Sequence, residues 1–532
     1  METRRQIKVA GRLNKDLSRL VQKSAKGSFI LILGQFISTL ISAVGVIVIA
    51  RFLGSTNYGQ VAVAMIPINI ALLFSDLGVN SALVRYLSQF RHEENYDALK
   101  SYIKAGLLIN ASIGVLLSVI VYALSGLLAG IFNQPDLDLL IKIGSVNILA
   151  QSMLSTAQSI FTGFERMELQ SYTTILFATL KTLIGPVLIW LGYGPVGAII
   201  GLTLPYIVAG SLGVFLVMFL LVSRLNKDGG ESLLGTGRTM LIYGYPLFFS
   251  TFLSGGLGQL NNFLLALYVS SDLMGNYNAA TNFGVLISFL TQPIATALFP
   301  LFSKLNFRKD DSLKIVFQST VKYAALITMP IVTVLVTLSD QIIRIVYVHG
   351  FSYASQFLWI YTLNFIFNAV GAISLSNLLN SQGRTDINLR MTLSALIIGL
   401  PLCFVLIPTY GVLGLLIIQL LASKPGLFYG LWWIKRNFGF TVDWLSSVKI
   451  LFVSLCIWAI TRIILSLLGL RYLYEFFVGG LLIVVLFLLL LPLTETIDRE
   501  DIRNIRSIGS AIKPLEPFVN LVLNILEKLV RK

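Results

Sequence analysis

Residues 476–491 read FFVGGLLIVVLFLLLL, sixteen positions without one charged or hydrogen-bonding side chain. With its flanks, such a run is long enough to cross a hydrocarbon layer ~30 Å thick, which takes about 20 helical residues. Roughly 13 more apolar runs of similar length occur along the chain. The sequence therefore predicts an all-α polytopic membrane protein with about 14 transmembrane helices. The predicted spans are residues 27–50, 59–83, 102–125, 138–162, 171–192, 195–222, 239–268, 275–303, 319–339, 356–380, 388–408, 411–434, 447–468 and 475–492.

The composition of the 532 residues excludes the other broad classes of protein. Hydrophobic residues make up 56% of the chain and charged residues 12%, and the mean hydropathy is +0.82. A soluble protein carries about 25% charged residues, so this chain lacks the charge to give several soluble domains a polar surface. Glycine and proline are too few for a collagen or a disordered chain, and two cysteines are too few for a disulfide scaffold.

The basic residues predict how the spans are oriented. The net charge of +15 is spread over alternate loops, so that a cytoplasmic N-terminus places most lysines and arginines on the inner side. On the outer side only Arg51, Arg344 and Arg471 remain, with Lys142 near an outer boundary. The positive charge is therefore a topology signal, and it predicts a protein of the cytoplasmic membrane with both termini cytoplasmic. We expect membrane lipids as partners and no nucleic acid.

Two patches at nearly the same offset predict an internal repeat. Tyr58-Gly59 aligns with Met274-Gly275 at an offset of 216, and Tyr193-Gly194 aligns with Tyr410-Gly411 at an offset of 217. A repeat of six spans, an even number, predicts two six-helix lobes related by a pseudo-twofold axis along the membrane normal, with the substrate path between them. The predicted domains are a basic amphipathic lead (1–26), an N-terminal lobe (27–222), a C-terminal lobe (239–434), two additional transmembrane helices (447–492) and a cytoplasmic tail with an amphipathic helix (493–532). We interpret the lead and the tail helix as anchors on the membrane surface.

Few ionisable side chains fall within the predicted spans, and these are candidates for the transport site. Lys181 and Lys424 lie near the bilayer midplane, Arg462 lies closer to the outer half, and Asp76 is the one acidic residue. A charge at the midplane costs about 2.5–3.5 kcal/mol even on the mildest scale, so it needs a partner or a wet cavity. Structural alternatives stay open: Asp76 capping a helix break, Lys181 bonding a helix carbonyl, Lys424 serving as a charge at a kink and Arg462 reaching the interface.

Polar and proline residues add to this set. Gln259, Asn261 and Asn262 form a polar cluster in span seven, which either lines the site or holds helices together. Pro425 follows Lys424 in span twelve, and Pro205 lies in the matching span six. Interrupted helices at matching positions of two halves indicate a transport site.

Several motifs resemble those of the polysaccharide-export flippases, in the multidrug/oligosaccharidyl-lipid/polysaccharide exporter superfamily. The stretch 50–59, ARFLGSTNYG, resembles the family's turn between spans one and two, and 75–86, SDLGVNSALVRY, resembles its ending of span two. In the second half, Gly275-Asn276-Tyr277 with Ala279-Ala280 is similar to Gly-x-Tyr-x-x-Ala of the family. We include Arg51 and Arg85, which these motifs contain, among the candidate substrate-binding residues.

The resemblance implies a fold, a substrate class and a mechanism. The fold is two six-helix lobes around a V-shaped central cavity. The substrate is an isoprenoid-(pyro)phosphate-linked oligosaccharide, turned from the inner to the outer leaflet by alternating access for polysaccharide or glycan assembly. The family commonly has an acidic or polar residue in span seven where Asn261 and Asn262 are neutral, which argues against ion coupling at this position.

The anionic head of such a lipid needs a basic, partly wet path, for which Lys181 and Lys424 have the right sign and depth. We expect no enzyme activity, no metal and no cofactor. The coupling ion, Na⁺ or H⁺ if there is one, and a pairing with polysaccharide-assembly enzymes stay open.

Two alternatives remain. A cation-coupled multidrug exporter of the same superfamily would hold organic cations on acidic residues in its spans, of which only Asp76 is available. A polytopic glycosyltransferase or polymerase would need catalytic carboxylates or a large outer loop, and the longest outer loop is roughly 339–355.

Overall fold

The computed structural model describes residues 2–224, 232–288, 291, 302–303, 312–348, 350–510, 520, 523–524 and 527, and of residues 2–29 the backbone alone. Within these ranges every regular element is a helix. The predicted all-α fold class is therefore confirmed.

The first of two compact units comprises residues 1–275. Its first helix is interrupted at Gly54, where the backbone has φ 73° and ψ 173°. This break separates the first two predicted spans. The helices are α1 (Glu2–Leu73), α2 (Val79–His92), α3 (Tyr96–Ile131), α4 (Leu137–Gly163), α5 (Met167–Leu188), α6 (Gly194–Leu216), α7 (Leu233–Tyr268) and α8 (Ser271–Thr281), the last of which continues past residue 275.

Helices α5 and α6 form an antiparallel hairpin. The chain reverses at Gly192 and Gly194, whose φ angles of 94° and 51° are accessible to glycine without a steric cost. A Cβ atom on Gly201 would lie only 2.2 Å from the Cα of Gly185, although residues sixteen apart on one helix are about 24 Å apart. The two helices are thus in backbone contact, and the predicted boundary between spans five (171–192) and six (195–222) is confirmed.

Helix α1 packs in parallel on α5 through small polar residues. Ser171 Oγ donates to the Ile30 carbonyl at 3.1 Å, and Thr182 Oγ1 donates to the Ile41 carbonyl at 2.9 Å. Both pairs are 141 residues apart, and a constant separation requires parallel helices. Small residues let membrane helices approach each other closely, and their hydroxyl groups bond to backbone carbonyls of the neighbouring helix.

Helices α1 and α8 meet at positions that the predicted repeat makes equivalent. A Cβ atom on Gly59 would lie 1.7 Å from the Ser271 carbonyl oxygen, and one on Gly275 would lie 1.9 Å from the Ser55 carbonyl oxygen. Ser55 and Ser271, like Gly59 and Gly275, are 216 residues apart. A reciprocal contact between equivalent residues is what a local twofold axis produces, so this contact supports the predicted repeat.

The second compact unit comprises residues 276–532. A 3₁₀ segment (Leu363–Val370) joins α11 to α12, and the chain bends by 49° at Gly371. The helices are α9 (Ser312–Thr337), α10 (Ser339–Tyr347), α11 (Ala354–Thr362), α12 (Ala372–Ser381), α13 (Thr385–Tyr410), α14 (Val412–Leu421), α15 (Lys424–Phe438), α16 (Trp444–Leu468), α17 (Tyr472–Leu493) and α18 (Arg499–Ser510).

The two predicted proline interruptions have different outcomes. A two-residue turn, Ala422-Ser423, precedes the helix that begins at Lys424, but residues 412–438 still form one candidate span. Helix α6, in contrast, runs unbroken through Pro205, and the prediction of a matching interruption there was wrong. Proline removes one backbone donor, and a packed membrane helix tolerates that loss.

Part of the predicted cytoplasmic tail docks on α9. Lys322 of α9 bonds to Asp501, and only 16% and 8% of their side chains are exposed. Asp498 and Asp501 cap each other's backbone amides at 2.8 and 3.0 Å, which fixes the start of α18. The predicted amphipathic faces of the lead and of the last tail helix lie outside the side chains that the structure describes in full.

The predicted number of 14 spans stays a prediction. The described residues contain nine helices long and apolar enough to cross a membrane, or up to eleven if each bent pair is one span. Two of the nine, 33–73 and 167–221, each cover two predicted spans, and predicted span eight (275–303) extends outside the described residues. The lobe bounds stay a prediction, because the compact units divide at residue 275 and the predicted second lobe begins at 239.

Candidate functional site

In the first unit, Lys181 is a half-buried cation on α5, one turn before the Gly185 contact with α6. Its Nζ lies 5.9 Å from the centroid of the Phe177 ring. Among the described residues, no hydrogen bond or ion pair reaches this ammonium group. The position therefore lacks the partner that a charge at membrane depth requires.

An aromatic pair lies beside Lys181. The rings of Phe177 on α5 and Tyr206 on α6 have centroids 4.2 Å apart and planes inclined by 37°. An ammonium group over aromatic faces gains about 0.5–2 kcal/mol. Such a pair offers a ligand flat apolar surface beside a positive charge. Lys181, Phe177 and Tyr206 together are called the α5–α6 cation site below.

In the second unit, Lys424 faces the irregular segment between α11 and α12. Its Nζ lies 3.5 Å from Oδ1 of Asn364 and 4.1 Å from the Phe367 ring centroid. Lys424 is also the first residue of α15, where the helix dipole favours anions and disfavours a cation. The ammonium group is thus not explained by the stability of its own helix, and it makes this helix end more attractive to an anion.

Asp76 lies in the short break between α1 and α2. Its Oδ1 accepts a hydrogen bond from the Asn80 amide at 2.7 Å, and Leu77 and Gly78 have φ angles of 46° and 79°. This bond satisfies one of the unpaired amides at the start of α2. The geometry supports the capping alternative for Asp76, while its assignment to substrate binding stays a prediction.

Of the two arginines in the motif stretches, one has a packing role. The Arg85 guanidinium lies 4.4 Å from the Tyr243 ring centroid and 5.4 Å from that of Tyr86, which joins α2 to α7. Arg51 is exposed and precedes the Gly54 break. For both residues, substrate binding stays a prediction.

The polar cluster of α7 contains unsatisfied acceptors. Oε1 of Gln259 and Oδ1 of Asn261 are buried and have no hydrogen-bond partner among the described residues, and Asn262 is half-buried. An unsatisfied buried acceptor costs about 1–3 kcal/mol. The cluster therefore suits a donor, such as a water or a hydroxyl group, better than it suits a purely structural role.

The sequence-based reasoning missed Phe177, Tyr206, Asn364 and Phe367. Tyr206 was predictable from the hairpin, because Lys181 is twelve residues before Tyr193 and Tyr206 is twelve after Gly194. Equal distances from an antiparallel turn place residues opposite each other. Asn364 and Phe367 had no such signal, since they lie on a 3₁₀ segment whose position depends on tertiary packing.

Comparison with known proteins gives matches over most of the chain. A family model described as "Polysaccharide biosynthesis protein" matches residues 24–306, and a model described as MatE matches 246–405. The chain is 23% identical over 361 residues to the lipopolysaccharide biosynthesis protein WzxC of Escherichia coli K12, covering 66% of this chain and 69% of WzxC.

Two solved structures share the fold. The lipid II flippase MurJ in an inward closed conformation has a TM-score of 0.68 and 18% identity, covering 86% of this chain and 98% of MurJ. An inward-facing MATE family multidrug resistance transporter of the MOP superfamily has a TM-score of 0.60 and 14% identity, covering 75% of this chain and 95% of the transporter.

Helices long and apolar enough to cross a membrane, together with the shared fold, define a multi-pass membrane protein with the fold of the multidrug/oligosaccharidyl-lipid/polysaccharide transporters. The family model covers more than half of the chain. The chain belongs to the polysaccharide biosynthesis protein family, as the resemblance of its motifs implied.

Proposed function

We propose that this protein is a flippase that turns an isoprenoid-(pyro)phosphate-linked oligosaccharide from the inner to the outer leaflet of the cytoplasmic membrane by alternating access. Both termini are cytoplasmic in this proposal. The protein catalyses no covalent step, and polysaccharide-assembly enzymes supply its substrate and consume its product. No cofactor and no particular coupling ion are assigned.

The observation that carries the proposal is the α5–α6 cation site. Its ammonium group lies within a predicted span and has no anionic partner among the described side chains, while the Phe177 ring lies 5.9 Å from it and packs on Tyr206. A lipid phosphate supplies the missing negative charge. A sugar ring or an isoprenoid unit next to that phosphate has the apolar surface to pack on the two rings.

The chemistry of the substrate sets the physical problem. A phosphate or pyrophosphate head has to cross the hydrocarbon layer while its isoprenoid tail stays in lipid. Fixed positive charges replace the solvation that water gave to the phosphate. Outward movement of each negative charge also gains roughly 2.3 kcal/mol per 100 mV of inside-negative potential.

The site around Lys424 supports the same proposal from the second unit. It combines a lysine with the start of a helix, and both attract anions. Its place beside a bent and irregular segment matches the discontinuous helices that form binding sites in other transporters.

A cation-coupled multidrug exporter is the second candidate, since the MATE fold is shared. That function requires acidic groups facing an organic cation. Asp76 is the acidic residue that the sequence places within a span, and its carboxylate accepts a backbone hydrogen bond from α2. The charge of the site therefore favours the flippase over the exporter.

Reconstituted liposomes separate these functions. Purified protein is tested for leaflet transfer of a fluorescent polyprenyl-pyrophosphate oligosaccharide and for uptake of a cationic dye, with protein-free liposomes as the control. We expect transfer of the lipid-linked sugar and no dye uptake. Dye uptake without lipid transfer would indicate an exporter and not a flippase. Lengthening of the glycan would indicate a polymerase.

A further inference from the structure

The second unit contains a polar cavity that the proposed translocation path does not use. It has a volume of about 490 Å³, within the 300–1,000 Å³ range of small-molecule sites. Helix α10, the loop after it and the first turn of α17 form its walls. Its lining includes Asp340, Arg344, Tyr347, Phe351, Ser352 and Tyr472.

The cavity has a buried aromatic floor and an exposed polar rim. Tyr347 and Phe351 are buried, and their ring centroids are 4.7 Å apart. Arg344 and Tyr472 are exposed at the rim. Arg344 Nε pairs with Asp340 at 2.8 Å, and its two terminal nitrogens make no hydrogen bond within the described ranges.

Buried polar contacts hold the walls of the cavity in place. The Asn276 side chain, which is fully buried, accepts hydrogen bonds from the Tyr353 and Ala354 amides at 3.0 and 2.9 Å. This fixes the loop to the middle of α8, at Asn276. Gln341 Nε2 donates to Glu475 at 2.8 Å, which fixes the first turn of α17 and with it Tyr472. The cavity is therefore formed before any ligand binds, which lowers the entropic cost of binding.

The groups around the cavity are complementary to a sugar. A sugar ring presents hydroxyl groups at its edge, which carboxylates and guanidinium groups bind with paired hydrogen bonds, and apolar C–H faces that pack on aromatic rings. Asp340, Arg344 and the Ser352 hydroxyl supply the first kind of contact. Tyr472 supplies an exposed aromatic face for the second.

We propose that this cavity binds sugar units of the oligosaccharide on the outer side of the membrane, as a site separate from the cation sites. The outer location rests on the predicted topology, in which Arg344 is one of three basic residues outside. The identity of the glycan rests on the proposed flippase function. Sugar units held here keep the glycan on the outer side while its headgroup leaves the transport path.

The test uses the full-length protein in detergent micelles and a defined probe. The probe is the oligosaccharide mixture released by mild acid from the polyprenyl-linked lipids of the source organism, labelled at the reducing end and followed by fluorescence anisotropy. We expect saturable binding that Arg344→Ala and Tyr472→Ala each weaken at least tenfold. Ser352→Trp, which fills the cavity from an exposed loop position, should have the same effect.

Matched controls are Arg471→Ala and Tyr474→Ala, which alter exposed residues of the same region that do not line the cavity. They should bind the probe as the wild type does. The proposal is overturned if the wild type shows no saturable binding, or if the cavity variants, eluting as folded protein in gel filtration, bind as tightly as the wild type.

Leaflet transfer in liposomes distinguishes this failure from failure of the flippase function. Transfer without cavity-dependent binding would contradict the outer sugar site and support the flippase function. Cavity-dependent binding without transfer would support the sugar site and contradict the flippase function.

Discussion

At the scale of single residues, Lys424 combines an unfavourable position with an available charge. A cation at the first position of a helix opposes the helix dipole by about 0.3–1 kcal/mol. Its amide contact with Asn364 is long, at 3.5 Å, and adds little. A residue that weakens its own helix suggests a role in binding.

Lys424→Gln should therefore separate stability from transport. Removal of the charge relieves the unfavourable dipole interaction and also loses the contact with the Phe367 ring at 4.1 Å, so the melting temperature in detergent should change little, while transfer of the lipid-linked sugar falls at least tenfold. Lys424→Arg, which keeps the charge, should retain most of the transfer. A Gln variant that is folded and transfers at the wild-type rate would exclude Lys424 from the site.

For Asp76 we expect an effect on stability and not on transport, because its hydrogen bond from the Asn80 amide is a structural contact. Asp76→Ala leaves that amide without an acceptor and should lower stability by about 0.5–2 kcal/mol, as the loss of other helix caps does. Asp76→Asn keeps an acceptor oxygen and should melt close to the wild type. Equal destabilisation by both substitutions in thermal unfolding would contradict the capping role.

At the scale of elements, the α5–α6 hairpin depends on two glycines in backbone contact. A methyl group on Gly201 would lie 2.2 and 2.6 Å from the Cα and N of Gly185. These are backbone atoms, so the helices have to separate. Separation also moves Tyr206 away from Lys181.

Gly201→Ala should destabilise the protein by about 1–3 kcal/mol, the usual cost of overpacking. Gly480→Ala in α17 is the matched control, because nothing lies within 4 Å of its added methyl group and alanine is the better helix former. Thermal unfolding of the two purified variants measures the difference. A Gly201→Ala protein as stable as the control would mean that the helices do not touch there.

The elements also show what sequence reasoning reaches. Apolar length predicted the helical spans. The chain reversal at the positive-φ glycines 192 and 194 lies at the predicted boundary between spans five and six. Proline was a poorer guide: the helix breaks before Lys424-Pro425 but not at Pro205, since neighbouring helices decide whether a missing hydrogen bond causes a break. No local sequence pattern indicates the 3₁₀ segment beside Lys424.

The sequence predicted the charged residues of the candidate sites but not the residues that surround them. Lys181 and Lys424 were identified from their depth in apolar runs, which is a property of one span. Their neighbours Phe177, Tyr206, Asn364 and Phe367 are ordinary membrane-helix residues until packing brings them together. Asp76 was identified with both of its roles, and the structure supplies the contact that supports capping.

At the scale of the whole molecule, the proposed flippase function depends on the sign of the charges within the membrane. Basic side chains at depth suit an anionic headgroup, and membership of the polysaccharide biosynthesis protein family is consistent with a lipid-linked sugar. Each unit contributes one lysine to this account. Loss of a charged hydrogen-bond partner costs about 1.5–3 kcal/mol, or roughly tenfold to a hundredfold in rate.

Leaflet transfer of the labelled polyprenyl-pyrophosphate oligosaccharide by Lys181→Ala in liposomes tests this claim most directly. Arg462→Ala is the control, since Arg462 is an exposed basic residue of α16 outside the predicted repeat. We expect a folded Lys181→Ala protein whose transfer is reduced at least tenfold, and an Arg462→Ala protein whose transfer is normal. Transfer by Lys181→Ala at the wild-type rate would contradict it.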